Sequence, residues 1–76
     1  MEQEAILNSL RGLLQSTEFW VAEWKKHKDA PSIRNAAYAL GKLQGGYSMA
    51  LDATQVPKDL RDKCNTVLMT WEELVF

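Results

Sequence analysis

The spacing Ala37-xxx-Gly41-xxx-Gly45, inside a segment otherwise suited to a helix, constrains the fold of this chain more than any other feature. Side chains four apart stack on one side of a helix, and three very small ones leave a groove that another backbone can enter. Each interior glycine costs a helix about 1 kcal/mol relative to alanine, a penalty that only close packing offsets. The spacing predicts an all-α protein built on helix–helix contact, including contact with a second copy.

Size sharpens this expectation. With 76 residues the chain has room for one core, and a domain this short buries only about 60% of its unfolded surface. Small domains make up the difference with disulfides, metals or oligomerisation. A single cysteine, Cys64, excludes an internal disulfide, and Cys64 with a single histidine, His27, falls short of a zinc ligand set. No cofactor or metal is expected. The formal charge of −1 argues against a general nucleic-acid binder, which carries a basic surplus. No apolar run approaches the roughly 18 residues of a membrane-spanning helix. Met1-Glu2-Gln3-Glu4 is acidic where a signal peptide is basic, so a cytoplasmic protein with a reduced thiol is expected.

Hydrophobic periodicity places three helices, at about 2–28, 31–53 and 57–75. In the first, Ile6, Leu10, Leu13, Thr17, Trp20 and Trp24 recur at spacings of four and three, and Leu7, Leu14 and Val21 widen the stripe. Glu2 and Glu4 suit its positive dipole end, and Lys25, Lys26 and Lys28 its negative end. Asp29-Ala30-Pro31-Ser32 stops it, because proline disfavours helical geometry just before it and suits the first turn of a new helix. In the second helix the stripe is Ile33, Ala37, Leu40, Tyr47 and Leu51, flanked by Ala36, Leu43 and Gln44. Its phase holds across Gly45-Gly46, which predicts one continuous helix. Thr54-Gln55-Val56-Pro57 makes the next junction. Leu60, Cys64, Val67, Trp71 and Leu74, broadened by Leu68 and Val75, give the third helix. Short connections make successive helices antiparallel. Glu72 and Glu73 are then expected near Lys25, Lys26 and Lys28, in exposed pairs contributing about 0–1 kcal/mol each.

More apolar surface remains than one three-helix bundle needs. Phe19 lies opposite the stripe of the first helix, among Asn8, Gly12, Gln15, Ser16 and Ala22. The second helix has Gly41, Gly45 and Ser48 on one flank, Ala39, Gly46, Ala50 and Ala53 on the other, and Tyr38 and Met49 on its back. Only Asn35, Lys42 and Asp52 interrupt this surface. A helix that is small or apolar all round is buried on several sides. The second helix is therefore expected at the centre of a larger bundle formed by a homodimer, with Ala37, Gly41, Gly45, Tyr38 and Met49 as packing residues.

Motifs that carry chemistry are scarce. Lys25-Lys26-His27-Lys28, with Arg34 nearby, is the one basic cluster; it reads as a solvated helix end that complements the dipole, with phosphate contact as the alternative. His27 has no nucleophile or carboxylate specified as a partner and is expected at the core edge. Cys64 reads as a buried structural thiol. Gly45-Gly46 has neither a preceding strand nor a following Gly-Lys-Ser/Thr, so it is no phosphate loop. The tail Trp71-Glu72-Glu73-Leu74-Val75-Phe76 is acidic and aromatic; through Trp71 and Phe76 it suits either insertion into a partner's groove or closure of the bundle end over Trp24.

The stretch from Pro31 to Gly45, with its Ala39-Leu40-Gly41-xxx-Gly45 core, resembles helices of small phage and mobile-element proteins, and Phe19-Trp20 through Lys26-His27-Lys28-Asp29 adds to the likeness. The resemblance covers about half the chain. It implies a compact helical dimer of the quorum-sensing anti-activator type, which binds and disables a bacterial host protein. The expected function is a non-catalytic modulator that occupies a surface on a host regulator or enzyme, with Phe19, Trp71 and Phe76 as candidate contacts. The alternatives are a small DNA-binding regulator, using the basic junction, and a structural component of a larger assembly.

Overall fold

In the computed structural model, which describes residues 2–74, α1 (Glu2–His27) and α2 (Ala30–Ala53) form an antiparallel hairpin. The third helix, α3 (Lys58–Leu68), folds back along it and ends in a 3-10 turn, Met69–Glu72. The protein is an all-α three-helix bundle, with no strand among the described residues. At 1.5 Å per residue α1 is about 39 Å long, which accounts for the long dimension of a molecule measuring 40 × 18 × 16 Å.

The turn between α1 and α2 takes two residues. Lys28 adopts a left-handed backbone with φ 55°, reversing the chain, and Asp29 caps α2 by accepting a hydrogen bond from the Ser32 backbone N–H at 2.9 Å. Pro31 occupies the first turn, where its missing N–H leaves no gap. Hydrogen bonding from Ser32, through its side chain and then its backbone, holds the Asp29 carboxyl below the usual carboxylate range. A carboxyl depressed in the folded state stabilises above its unfolded pKa, and that stabilisation is lost as pH falls through the folded value. Asp29→Ala is therefore expected to lower the melting temperature at pH 7. The gap between variant and wild type should close in thermal melts taken below the carboxylate range.

Two hydrophobic clusters run end to end along the hairpin. Leu10, Leu14, Leu43, Tyr47, Ala50, Val56, Leu60 and Cys64 fill the half under α3. Val21, Trp24, Ala36, Leu40 and Leu74 fill the half nearer the α1–α2 turn, with Ile33, Ala37, Val67, Leu68 and Trp71 packed against them. Between α1 and α2 sits Thr17, 1% exposed. Its hydroxyl lies 2.7 Å from the Leu13 carbonyl and 3.1 Å from the Ala39 carbonyl across the hairpin. Thr17→Val keeps the shape and removes the donor; a loss of about 1 kcal/mol is expected, read as a lower urea midpoint at unchanged slope.

Several expectations need correction. Leu40 and Tyr47 are buried as read, and α2 is continuous through Gly45-Gly46. Its buried face, however, is rotated toward α1: Ala39 and Ala50 are buried, Ala37 only half-buried, and Gln44 and Leu51 exposed. Small residues bring the two helices close, and a scale that ranks by hydrophobicity passes them over. The third helix is shorter than 57–75. Asn65, Thr66, Val67, Thr70 and Trp71 are weak helix formers, and the chain tightens after Leu68 into 3-10 geometry, which buries Thr70 beside Leu74. Glu72 and Glu73 form no ion pair with Lys25, Lys26 or Lys28 among the described residues, where the pairs are His27–Glu23 and Lys58–Asp62. His27 is exposed and 3.8 Å from Glu23 rather than packed at the core edge.

Candidate functional site

α3 and the segment after it cover one face of the α1–α2 hairpin, and the opposite face stays open. Helical spacing brings Ala5, Ile6, Ser9, Leu13, Ser16 and Trp20 of α1 to this open face. From α2 come Asn35, Tyr38, Ala39, Lys42, Gly46, Met49 and Ala53. Two hollows lie along it, with Leu13 between them. The one toward the free ends of the hairpin is apolar, lined by Ala5, Ile6, Ser9, Gly46, Met49 and Ala53 among others. The one toward the turn is more polar, lined by Ser16, Thr17, Trp20, Asn35, Tyr38 and Lys42.

Large side chains stand out on and beside this face. Tyr38 is 71% exposed and Met49 73%. Phe19, at 55% exposed, meets Trp20 edge to face with ring centroids 5.0 Å apart. The Lys42 ammonium lies 5.3 Å from the centre of the Tyr38 ring, which stiffens both side chains. Lys42 is the one charged residue among those lining the two hollows. Scattered exposed hydrophobics are ordinary on a monomer; a contiguous, nearly uncharged patch marks an interaction surface.

The small-residue groove falls elsewhere. Gly41 and Gly45 face solvent on the flank of α2 turned away from α1, and a Cβ built on either would meet nothing within 4 Å. Half-buried Ala37 packs against the cluster that holds Trp24 and Leu74. Close approach inside the chain is made instead at Gly46, where a Cβ would collide with Leu13 Cδ1. Gly41 and Gly45 thus take no part in packing α1 against α2.

Among the partner-contact candidates, Phe19 is exposed as expected. Trp71 is half-buried against the cluster that includes Trp24, Leu40 and Leu74, and its indole N–H is buried. It belongs to the core. Phe76 and Val75 lie outside the described residues. Lys25, Lys26, Lys28 and Arg34 are all exposed around the α1–α2 turn. Cys64 is fully buried, and loss of solvation pushes its thiol pKa up, so it behaves as a small hydrophobe. Among the described residues, no group of three or more His, Cys, Asp and Glu side chains is arranged to hold a metal, and no helix is long and apolar enough to cross a membrane.

The apolar hollow was missed in the sequence because most of its lining is small. The flank of Ala39, Gly46, Ala50 and Ala53 was its visible signal. Fold and surface together define an all-α hairpin bundle with one uncovered face. No protein-family model, curated protein or solved structure matches the chain.

Proposed function

We propose that this chain is a small, non-catalytic protein-binding modulator that acts as a homodimer in the cytoplasm of a bacterial host. In this reading it resembles phage inhibitors and occupies a surface on a host regulator or enzyme. The observation that supports it is the open hairpin face, which leaves Tyr38 and Met49 exposed and Trp20 half-buried with Lys42 as the lone charge lining its hollows, while Phe19 projects beside it. Aromatic residues and Met with little charge are the composition enriched in the cores of protein interfaces. The Gly41 and Gly45 flank of α2 is a second exposed surface that a partner helix can approach closely.

The basic turn favours a second reading. Lys25, Lys26, Lys28 and Arg34 cluster at one end of the hairpin and are exposed, as a phosphate-contacting regulator would have them. Capture from a bacterial lysate on immobilised protein, beside Phe19→Asp and Lys26→Glu variants, separates the two. A single host protein retained at high salt and lost with Phe19→Asp supports the modulator. Nucleic acid released steeply with salt and lost with Lys26→Glu supports the DNA-binding reading.

A further inference from the structure

The more polar of the two hollows on the open face has a one-sided chemistry. It runs about 10 Å along the helices, from Leu13 and Lys42 at one end to Trp20 and Asn35 at the other. Thr17 and Ala39 form its floor, 1% and 6% exposed, and the Thr17 hydroxyl is already committed to the Leu13 and Ala39 carbonyls. Half-buried Trp20 and exposed Tyr38 bring aromatic rings to it from the two helices. What is left for a ligand is a set of donors. An ammonium and an indole N–H can only donate, and the hydroxyl and amide groups of Ser16, Asn35 and Tyr38 donate as well. Those three side chains make no hydrogen bond among the described residues. No side chain lining the hollow is acidic.

Lys42 gives this donor set its sign. It forms no ion pair among the described residues. Its own helix has no acid to offer, because the residues three and four away are Tyr38, Ala39, Gly45 and Gly46. Glu23, one turn beyond Trp20 on α1, lies 3.8 Å from His27 instead. The ammonium is held 5.3 Å from the centre of the Tyr38 ring, a contact that restrains it at the edge of the hollow without neutralising it. A restrained ammonium among neutral donors, beside two aromatic rings, is complementary to an anion carried on a flat apolar body. Size narrows the ligand further. The hollow holds about 220 Å³, below the roughly 300–1,000 Å³ of sites for drug-sized ligands, so it suits a single ring. The neighbouring hollow at Met49 is lined by no charged residue and offers an anion no anchor.

We propose that this hollow binds a small aromatic carboxylate, with the acid group on Lys42 and the ring between Tyr38 and Trp20 over the floor of Thr17 and Ala39. The proposal goes beyond the modulator reading and does not rest on it, because the ligand is a small molecule rather than a host protein.

The test is a titration of the full chain with phenylacetate at constant ionic strength, followed by amide and indole N–H shifts in NMR spectra. Phenylacetamide, acetate and inorganic phosphate serve as comparison probes. Phenylacetate is expected to shift the Trp20 indole N–H and the amides of Ser16, Tyr38 and Lys42, saturating with a Kd on the order of millimolar, as suits so small a ligand. Phenylacetamide should bind about fivefold more weakly, the worth of a solvent-exposed ion pair. Lys42→Met should bring phenylacetate down to the level of the amide, and Met49→Ala should leave it unchanged. Both substituted residues are exposed, and circular dichroism checks that each variant keeps its helices. The absence of a saturable shift up to about 50 mM, well beyond the expected range, overturns the proposal. So does equal binding of the acid and the amide, or a Lys42→Met variant that binds phenylacetate as the wild type does. Acetate or phosphate binding as tightly as phenylacetate overturns it too, because the rings would then play no part. Shifts centred on Gly46 and Ala53 would place the ligand in the other hollow and also overturn it. Each of these failures leaves the modulator reading standing, since capture of a host protein is measured without the small acid.

Discussion

Leu40→Ala is expected to remove about 3–5 kcal/mol of stability, the upper part of the range for a fully buried leucine that leaves a cavity. Leu40 is 0% exposed and packs among Val21, Trp24, Ala36 and Leu74. A chain of this length holds only about 4–11 kcal/mol in total, so the variant should lose a quarter or more of its stability. The comparison that gives this result its force is Leu51→Ala. Leu51 shares the sequence stripe with Leu40 but is 46% exposed, and its truncation should cost under about 0.5 kcal/mol, as surface changes do. Urea titrations of the two variants side by side decide the rotation of α2. Equal losses would return Leu51 to the core and contradict the packing described above.

Gly41→Ala together with Gly45→Ala is expected to stabilise the chain by about 2 kcal/mol, close to 1 kcal/mol for each helical glycine replaced. Both positions are interior to α2, and an added methyl meets nothing within 4 Å at either. For a domain of this size each kcal/mol corresponds to a rise of about 4–8 °C in melting temperature. Gly46→Ala gains the same propensity but forces Leu13 out of its position, so its melting temperature should fall short of the other two. The glycines of this helix are thus not equivalent. If Gly41 and Gly45 serve a target rather than the fold, the stabilised double variant should lose affinity for that target, and its melting curve and binding curve should move in opposite directions.

Much of the fold was legible because α1 and α2 are long and strongly periodic. Of the α1 stripe, Leu10, Thr17 and Trp24 are buried as the spacing put them, while Ile6, Leu13 and Trp20 are half-buried. Leu14 and Val21, read only as widening the stripe, are buried in their stead; Asp29 and Pro31 marked the turn correctly. The rotation of α2 was not legible from hydrophobicity. Ala39, Gly46 and Ala50 carry the contact with α1 by being small, and their worth depends on a neighbour that the local pattern does not name. The end of α3 was illegible for a different reason. Spacings of four and three continue through Trp71 to Leu74 in the sequence, and a 3-10 turn keeps Trp71 and Leu74 facing the core while it also turns in Thr70. Exposure of Phe19, Tyr38 and Met49 followed from their place opposite the stripes. The basic residues read as a solvated helix end are exposed at the turn. What the sequence could not show was that α3 leaves one face of the hairpin bare, since that depends on which side the short helix chooses.

The two-residue turn at Lys28 and Asp29 also bears on how quickly this protein comes into being. The largest packed surface, α1 against α2, joins helices adjacent in the chain, and only α3 must return across the hairpin to reach α1. Helical bundles rich in local contacts fold in microseconds to milliseconds, whereas ribosomes add about 5–20 residues each second. Once both of its helices are free of the ribosome, the hairpin is expected to form in less time than a ribosome needs to add one residue.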